Sequence, residues 1–547
     1  MLSSSCSDAL KVGGEGMMRR NSTLVCVPIM AESVGEMVTD MGKAKGLGAD
    51  LVEIRLDYLK TFNHNEDLRR LVKECPLPTL FSYRPKWEGG QYDGDEQNRL
   101  DALRLAMDLG ADYVDVELQV AREFISSIEG KKPERLKVIV SSYNFEETPS
   151  VESIGNLVAA MQATGADIVK IATTCLDITD VARTFQIAVH SQVPSGCEEL
   201  AHVGKVPLIG LGLGERGLIS RILSAKFGGY LTYGMLEPGT VSAPSQPTIK
   251  DLIHLYNFRQ IGPYTKVFGV ISKPVSHSKS PKLYNEVFKS VGFDGVYAHL
   301  LVDDIQKFFQ TYSSMDFAGF SVGIPHKEAA LKCCDEVDPV AKSIGAINCI
   351  IRRPADGKLF GFNTDYVGAI SAIEEGLKGS HNNSGKNTTS GSALAGRLFV
   401  VIGAGGASKA LAYGAKQRGA RLVIANRTYD RARELADIVG GDALSLDDLP
   451  NIPPEDGMIL ANTTSIGMQP KVDDTPISKH ALRSYSLVFD AIYTPRVTRL
   501  LREAAECGVT VVSGLEMFIG QAYEQFEKFT GLPAPKELFR KVMENHS

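Results

Sequence analysis

Two lysines carry the first chemical signals in the chain. Lys170 interrupts an otherwise apolar run, Asp167-Ile-Val-Lys170-Ile-Ala. A lysine desolvated inside a protein has a lowered pKa, and its neutral amine can attack a ketone to form a Schiff base. A lysine snorkelling from a strand end is the plainer alternative. Lys327 stands in Ile324-Pro-His326-Lys327, and Asp365 in Gly361-Phe-Asn363-Thr-Asp365. A lysine with an aspartate is suited to moving a hydroxyl proton while hydride leaves carbon. In Val275-Ser276-His277-Ser278-Lys279-Ser280-Pro281, hydroxyls at alternate positions suit a carboxylate, and Ala346-Ile-Asn348 adds an amide after an apolar run. Alone, any of these would more often be a structural ion pair or a capping residue.

A glycine turn follows. Arg397-Leu-Phe-Val-Val-Ile leads into Gly403-Ala404-Gly405-Gly406-Ala-Ser408 and then a helical pattern. Strand, glycine turn and helix in that order make a dinucleotide-binding fingerprint. The next apolar run, Arg421-Leu-Val-Ile-Ala, ends in Asn426-Arg427-Thr428, where the adenosine ribose is read. An acid there would favour NAD. Arg427 and Thr428 instead offer a cation and a hydroxyl to a 2′-phosphate, which points to NADP over a generic surface arginine.

These groups need elements to position them. Eight short apolar runs begin near Leu24, Leu51, Thr79, Tyr113, Leu136, Ile168, Val206 and Leu231, with helical patterns between them. That alternation predicts a (β/α)8 barrel, whose chemistry sits at the C-terminal strand ends. Glu53 and Arg55 alternate with Val52, Ile54 and Leu56, so both face one side of their strand. Gly-Ala-Asp recurs before strands at Gly48, Gly110 and Gly165, a weak repeat in which glycine can end the preceding helix. Prolines bracket a helical stretch over Thr248–Arg259, and a new α/β pattern starts at Lys266. The Gly/Ser/Asn-rich stretch Gly379–Ser392 reads as a flexible insertion. The expected organisation is α/β throughout: a disordered arm over 1–22, the barrel over 23–247, a linker helix over 248–265, a substrate-binding domain over 266–392, a Rossmann domain over 393–513, and C-terminal helices over 514–547 packing back on the substrate domain.

Composition narrows the class. The chain has 547 residues, 44 % hydrophobic and 23 % charged, enough for several soluble domains. A net charge of -6 gives no footprint for nucleic acid or an anionic membrane surface, and no apolar run reaches the roughly 20 residues of a membrane span. Nine cysteines without a Cys-x-x-Cys read as buried reduced thiols, with no metal site expected. The start, Met1 to Arg20, is short and contains Asp8 and Glu15, which favours a cytoplasmic address over a transit peptide. A monomer is expected.

Glu53-Ile54-Arg55, Arg84 with Glu88-Gly89-Gly90, Lys170, Ser220-Arg221 and Ser242-Ala-Pro-Ser-Gln246 together resemble the type I 3-dehydroquinate dehydratase family. The resemblance implies that Lys170 forms the Schiff base and that Glu53, Arg55, Arg84, Arg221, Ser242 and Gln246 hold substrate. Two departures stand out. The family carries its acid–base histidine where this chain reads Ser141-Ser142-Tyr143-Asn144-Phe145, and a phenol near pKa 10 shuttles protons poorly at neutral pH. Ser245 replaces a glycine. The expectation is a weak dehydratase, with substrate binding retained and Tyr143 in the substrate pocket.

From Lys266 onward the motifs are similar to the shikimate dehydrogenase family, to which Tyr493-Thr-Pro495, Ser513-Gly514-Leu-Glu-Met517-Phe and Gln521-Ala-Tyr-Glu-Gln525-Phe also belong. The resemblance implies a catalytic pair, Lys327 and Asp365. Ser278, Ser280, Asn348, Tyr493, Gln521 and Gln525 would contact substrate. Gly403, Ala404, Gly405, Gly406, Asn426, Arg427 and Thr428 would hold NADP, with Asn462, Thr463, Gly514 and Met517 toward the nicotinamide. One departure lies here: Ser321-Val-Gly323-Ile-Pro-His-Lys has glycine where the family has threonine, which removes a hydroxyl and opens space beside the substrate ring. Quinate, or 3-dehydroshikimate turned toward gallate, then becomes a candidate beside shikimate. The order, dehydratase then dehydrogenase, resembles fused plant enzymes, whose usual home is the chloroplast. Full bifunctionality and a non-catalytic dinucleotide-binding regulator are the remaining alternatives.

Overall fold

The computed structural model describes residues 21–192, 200, 202–238, 246–379 and 392–544. The expected arm up to Arg20, Ser242, Ser245 and residues 380–391 of the expected insertion lie outside the described residues. Two compact units are resolved, Met1–Val270 with Ser280–Phe317 and Ile271–Lys279 with Ala318–Ser547.

The first unit holds eight parallel strands: β1 (Leu24–Ile29), β2 (Leu51–Arg55), β3 (Thr79–Ser82), β4 (Tyr113–Glu117), β5 (Lys137–Asn144), β6 (Ile168–Thr174), β7 (Leu208–Leu213) and β8 (Leu231–Tyr233). The ladder runs β7-β6-β5-β4-β3-β2-β1-β8. A hydrogen bond from the Tyr230 N–H to the Leu208 carbonyl, 2.8 Å, spans the remaining gap. All eight expected starts fall within two residues of the observed ones. Strand parity then sorts the interior. One inward layer is apolar, with Cys26, Leu51, Leu80, Ile139, Ile168, Ile209 and Leu231 packed together. Two residues further along each strand the same face presents Glu53, Ser82, Asp115, Ser141, Lys170 and Tyr233, all buried.

The Gly-Ala-Asp repeat is scaffold. Gly48, Gly110 and Gly165 all have positive φ, +92°, +106° and +90°, which glycine adopts without strain. The aspartates tie down neighbouring strands: Asp50 accepts from the Val25 N–H at 2.7 Å, Asp112 from Thr79 at 2.9 Å and Asp167 from Val138 at 2.7 Å.

The linker differs from expectation. A π-helical turn over Asp251–Leu255 replaces the helix predicted over Thr248–Arg259. Asn257 stops it by adopting φ +51°, while its side-chain amide donates to the Asn285 carbonyl at 3.0 Å. A buried long-range contact overrides local propensity here. The unit boundary also departs from the expected break at 266, because Ser280–Phe317 clusters with the barrel. Arg216 pairs bidentately with Asp303 at 2.5 and 2.9 Å, Lys226 with Asp316 at 2.9 Å, and the Tyr312 hydroxyl donates to the Ile178 carbonyl at 2.7 Å. This unit therefore also carries most of β9 (Lys266–Ser272), and β10 (Gly295–Leu301).

The second unit contains β11 (Phe317–Val322), β12 (Glu336–Val337), β13 (Cys349–Arg352) and β14 (Leu359–Phe362), with β13 antiparallel to both β11 and β14. Beyond them, β15 (Leu398–Ile402), β16 (Arg421–Asn426), β17 (Asp442–Ser445), β18 (Ile459–Asn462), β19 (Leu487–Asp490) and β20 (Thr510–Ser513) form a parallel sheet ordered β17-β16-β15-β18-β19-β20. This is the doubly wound order, and its switch point lies between β15 and β18, where such sheets bind nucleotides. Helices Asp365–Gly379 and Gly514–Thr530 cross at backbone contact: a Cβ on Gly520 would lie 2.7 Å from the Gly368 Cα. That close crossing carries Asp365 and Gln521 to the same place.

Candidate active sites

The barrel site is built on the charged inward layer. Lys170 has no exposed surface, and its ammonium pairs with Asp115 at 2.9 Å and Glu53 at 3.5 Å. Burial alone would lower its pKa, as the sequence suggested. The two carboxylates outweigh burial and hold it well above its ordinary value, so that expectation is corrected. Asp115 also meets Arg84 at 3.0 Å and accepts from Ser141 at 2.5 Å. Burial opposes its charge too, but Arg84 and Lys170 keep its carboxyl below the usual range. Arg55 is engaged bidentately by Asp57 at 2.9 and 2.7 Å, and Ser82 hydrogen-bonds Glu53.

Above these lies a cavity of ≈ 310 Å³, lined by Glu53, Arg55, Arg84, Tyr143, Arg221, Tyr233 and Gln246 among others. Tyr143, at the end of β5, lies under the Arg84 guanidinium, 4.5 Å from carbon to ring centre, and stacks on Phe145 at 5.6 Å. Its backbone N–H donates to Glu88 at 2.8 Å. The Lys170 ammonium sits 5.7 Å from the Tyr143 ring and 4.8 Å from the Tyr233 ring. Burial lowers Arg221 to about 10. Of the sequence-predicted set, Glu53, Arg55, Arg84, Tyr143, Arg221 and Gln246 line one cavity, and Lys170 is buried beside it against Glu53 and the Tyr143 and Tyr233 rings. Asp115 and Tyr233 were missed. The signal for Asp115 was present, since Asp115 and Glu117 alternate with Val114 and Val116 as Glu53 and Arg55 do with their neighbours.

The second unit assembles a hydrogen-bonded polar cluster. Lys327 and Asp365 form a direct ion pair. Asn348 orients the other carboxylate oxygen, donating to it at 2.9 Å and to Thr364 at 3.0 Å. Gln525 donates to Gln521 at 2.6 Å and accepts from Ser321. Tyr493 is hydrogen-bonded to Ser278, and desolvation lifts its phenol to about 12 against that bond. Ser280 is buried at the start of helix Ser280–Val291, in the first unit. At Gly323 the expected opening is partly filled. A Cβ there would meet the Ser272 Oγ at 2.9 Å and its Cβ at 3.1 Å, and that serine donates to the Ile324 carbonyl at 2.9 Å.

Beside the cluster lies a cleft of ≈ 390 Å³, lined by Lys327, Gly403–Gly406, Asn426, Arg427, Arg431 and Thr463. Gly406 lets the two sites touch, because a Cβ there would lie 2.7 Å from the Lys327 Cβ. The cleft meets the start of helix Gly406–Gln417, where free N–H groups and the helix dipole favour a phosphate. Other expected cofactor residues stand behind it. Thr428 precedes helix Tyr429–Val439, and the Asn426 amide donates to its carbonyl at 2.9 Å. Asn462 is buried and supports the Thr464 turn, Gly514 packs against the backbone of Ala491, and Met517 lies in the sheet core. Arg431 was missed; it lies in the first turn of helix Tyr429–Val439. It also pairs with Glu328 at 3.1 Å, as does Lys409 at 3.0 Å. Among the described residues no cluster fits a metal ion, and no helix is long and apolar enough to cross a membrane.

The type I 3-dehydroquinase family model matches residues 25–263. Models for the shikimate dehydrogenase substrate binding domain, shikimate/quinate 5-dehydrogenase and the shikimate 5′-dehydrogenase C-terminal domain match 270–350, 386–501 and 514–544. The chain is 64 % identical over 540 residues to the chloroplastic bifunctional 3-dehydroquinate dehydratase/shikimate dehydrogenase of Arabidopsis thaliana, covering 99 % of this chain and 87 % of the relative. A shikimate dehydrogenase (NADP(+)) of Methanosarcina barkeri is 37 % identical, covering 51 % of this chain and 97 % of that one. The pentafunctional AROM polypeptide of Yarrowia lipolytica is 28 % identical over 91 % of this chain and 31 % of its own length.

One buried group makes the second unit pH-sensitive. Asp490 accepts from Thr498 at 2.7 Å and from Asn462 and the Ile492 N–H at 3.1 Å, and burial still raises its carboxyl to about 6. The folded state therefore holds this proton more tightly than the unfolded state. Its contribution to stability is full below about pH 4 and is lost as pH rises to about 6. The difference in unfolding free energy between wild type and Asp490→Asn should change by roughly 1–3 kcal/mol across that window. A pH-independent difference in denaturant titrations would refute the assignment.

Proposed function

From its membership of the bifunctional 3-dehydroquinate dehydratase/shikimate dehydrogenase family, we propose that this chain interconverts 3-dehydroshikimate and shikimate, or a close relative such as quinate, with NADP, while its dehydratase half works weakly. The Lys327–Asp365 ion pair beside the nucleotide cleft carries the first part. NADP supplies the hydride acceptor. Lys327 and Asp365 take the proton of the reacting hydroxyl, with Asn348 fixing the carboxylate. Ser278 and Tyr493 form a hydroxyl pair suited to the substrate carboxylate. Gln521 and Gln525 offer amides to ring hydroxyls. Arg427 and Arg431 fit a 2′-phosphate. A purely regulatory nucleotide-binding role would leave the Lys327–Asp365 pair without a task.

The experiment is steady-state kinetics on shikimate and quinate with both nucleotides. Lys327→Ala or Asp365→Ala should lower kcat by about 10²–10⁴-fold with little change in NADP binding. Arg427→Asp should weaken NADP by about 10- to 100-fold and move preference toward NAD. Near-normal turnover in the first two, or a native preference for NAD, would defeat this reading.

For the barrel, Tyr143 and the clamped Lys170 support weakness. Imine formation needs a neutral amine, and later steps need a proton carried from ring carbon 2 and another delivered to the departing hydroxyl. A phenol exchanges protons poorly near neutral pH. Tyr143→His should raise 3-dehydroquinate dehydration at least about 100-fold. Brisk dehydration by the unaltered protein would favour the fully bifunctional alternative.

Gly323 bears on the choice among shikimate, quinate and a gallate route. The crowding by Ser272 means that Gly323→Thr alone should lower the melting temperature. Combined with Ser272→Ala, it should raise shikimate turnover relative to quinate and to 3-dehydroshikimate oxidation. An unchanged ratio in the double variant would remove position 323 from specificity.

On location, the named chloroplastic relative favours the plastid over the cytoplasm expected from the acids of the first residues. A fluorescent reporter carrying the first 30 or so residues distinguishes the two by import or its absence.

A further inference from the structure

The barrel cavity contains more polar atoms than its internal pairing uses. Tyr233 Oη, Arg221 Nη1 and Gln246 Oε1 are buried without a hydrogen-bond partner, and all three residues line the cavity. Tyr233 is only 4 % exposed and Arg221 only 2 %. Arg84, which also lines the cavity, has an unpartnered Nε but is held by Asp115 and Glu117 through its other nitrogens. An unpartnered buried hydroxyl costs free energy, and the remaining three groups call for a common explanation. The neighbouring Lys170, Asp115 and Ser141 are all paired, whereas Tyr233 and Arg221 have neither an ion pair nor a hydrogen bond at these atoms.

We infer that Tyr233 is a specificity-determining residue of the barrel, its phenol hydrogen-bonding an oxygen of a bound cyclic polyol whose carboxylate meets Arg221. Position and chemistry both lead there. Tyr233 ends the inward row of β8 two residues after Leu231, in the layer that holds Lys170. Its ring lies 4.8 Å from the Lys170 ammonium, a contact that a phenylalanine ring would provide equally. The hydroxyl is surplus to that contact and has no internal use. Burial and the nearby Glu53 raise its pKa well above 10, so it acts as a neutral donor and not as a proton carrier. Arg221 is a cation with an unused N–H, which sets the sign of the ligand, and Gln246 Oε1 accepts from a ring hydroxyl. A cyclic acid without hydroxyls would leave Tyr233 and Gln246 unpaired and would be rejected on that account.

This inference rests on the reading that the barrel takes 3-dehydroquinate. The test is calorimetric titration of that compound into the full chain, with the barrel component defined as the heat lost in Arg221→Ala. Tyr233→Phe should weaken that component by about 2- to 10-fold, the span of one hydrogen bond. Without ligand, the variant should melt no lower than wild type, because only an unpaired hydroxyl is removed. Equal affinity in Tyr233→Phe and wild type overturns the role of Tyr233 alone. A loss of stability as large as the loss of affinity also overturns it, marking the phenol as structural. If wild type has no barrel component at all, the 3-dehydroquinate reading falls, and this inference with it.

Discussion

Asp115 lies fully buried in the barrel and holds Lys170, Arg84 and Ser141 at once. A charge taken out of water must be paired and hydrogen-bonded, and the interior of the barrel is arranged around that requirement. Glu53 and Asp115 bind the lysine, Asp57 binds Arg55, and Glu117 binds Arg99 at 2.8 Å. The same pairing that lets charges exist in the interior also keeps Lys170 protonated. A Schiff-base lysine must give up that proton first, so the clamp makes a competent proton carrier more necessary. Tyr143, stacked on Phe145 beneath Arg84, is the residue that the proposed reading finds unsuited to that task.

The second unit satisfies the same constraint differently. Lys327 and Asp365 are each other's counter-ions, next to a cleft that admits a nucleotide. Their geometry depends on small residues. Gly406 allows Lys327 to pass against the start of the nucleotide-binding helix. The Gly368–Gly520 crossing brings Asp365 to the amides of Gln521 and Gln525. Here the closest atomic approaches serve positioning, which is where much of an enzyme's rate advantage originates.

Much of this was legible in the chain. Short apolar runs between helical patterns placed the eight barrel strands, and Lys170, Glu53, Arg55, Lys327, Asp365 and the Gly403 turn lie on the strands, turns and helix starts that their local patterns indicated. The losses have a common physical origin in distance along the chain. Asn257 breaks a predicted helix because of Asn285, and Ser272 fills the space beside Gly323 from 51 positions away. Lys170 is desolvated as read, yet its pKa is raised rather than lowered because Asp115, 55 residues earlier, pairs with it. Local patterns report which face a residue occupies. They do not report which partner shares that face.

The two halves also differ in what a substitution removes. On the proposed reading, Tyr143 leaves a site whose binding groups remain without the histidine that would move protons. On the same reading, Gly323 leaves the Lys327–Asp365 pair intact and alters only a wall of the pocket, where a Cβ would meet Ser272. Losing a proton carrier costs orders of magnitude in rate, whereas altering a wall redistributes preference among similar substrates. The unpartnered Arg221, Tyr233 and Gln246 atoms fit this contrast. On the proposed reading they are binding groups, in the half that carries Tyr143 in place of a histidine. On that reading the barrel distinguishes ligands by the oxygens they present, whatever its rate of turnover.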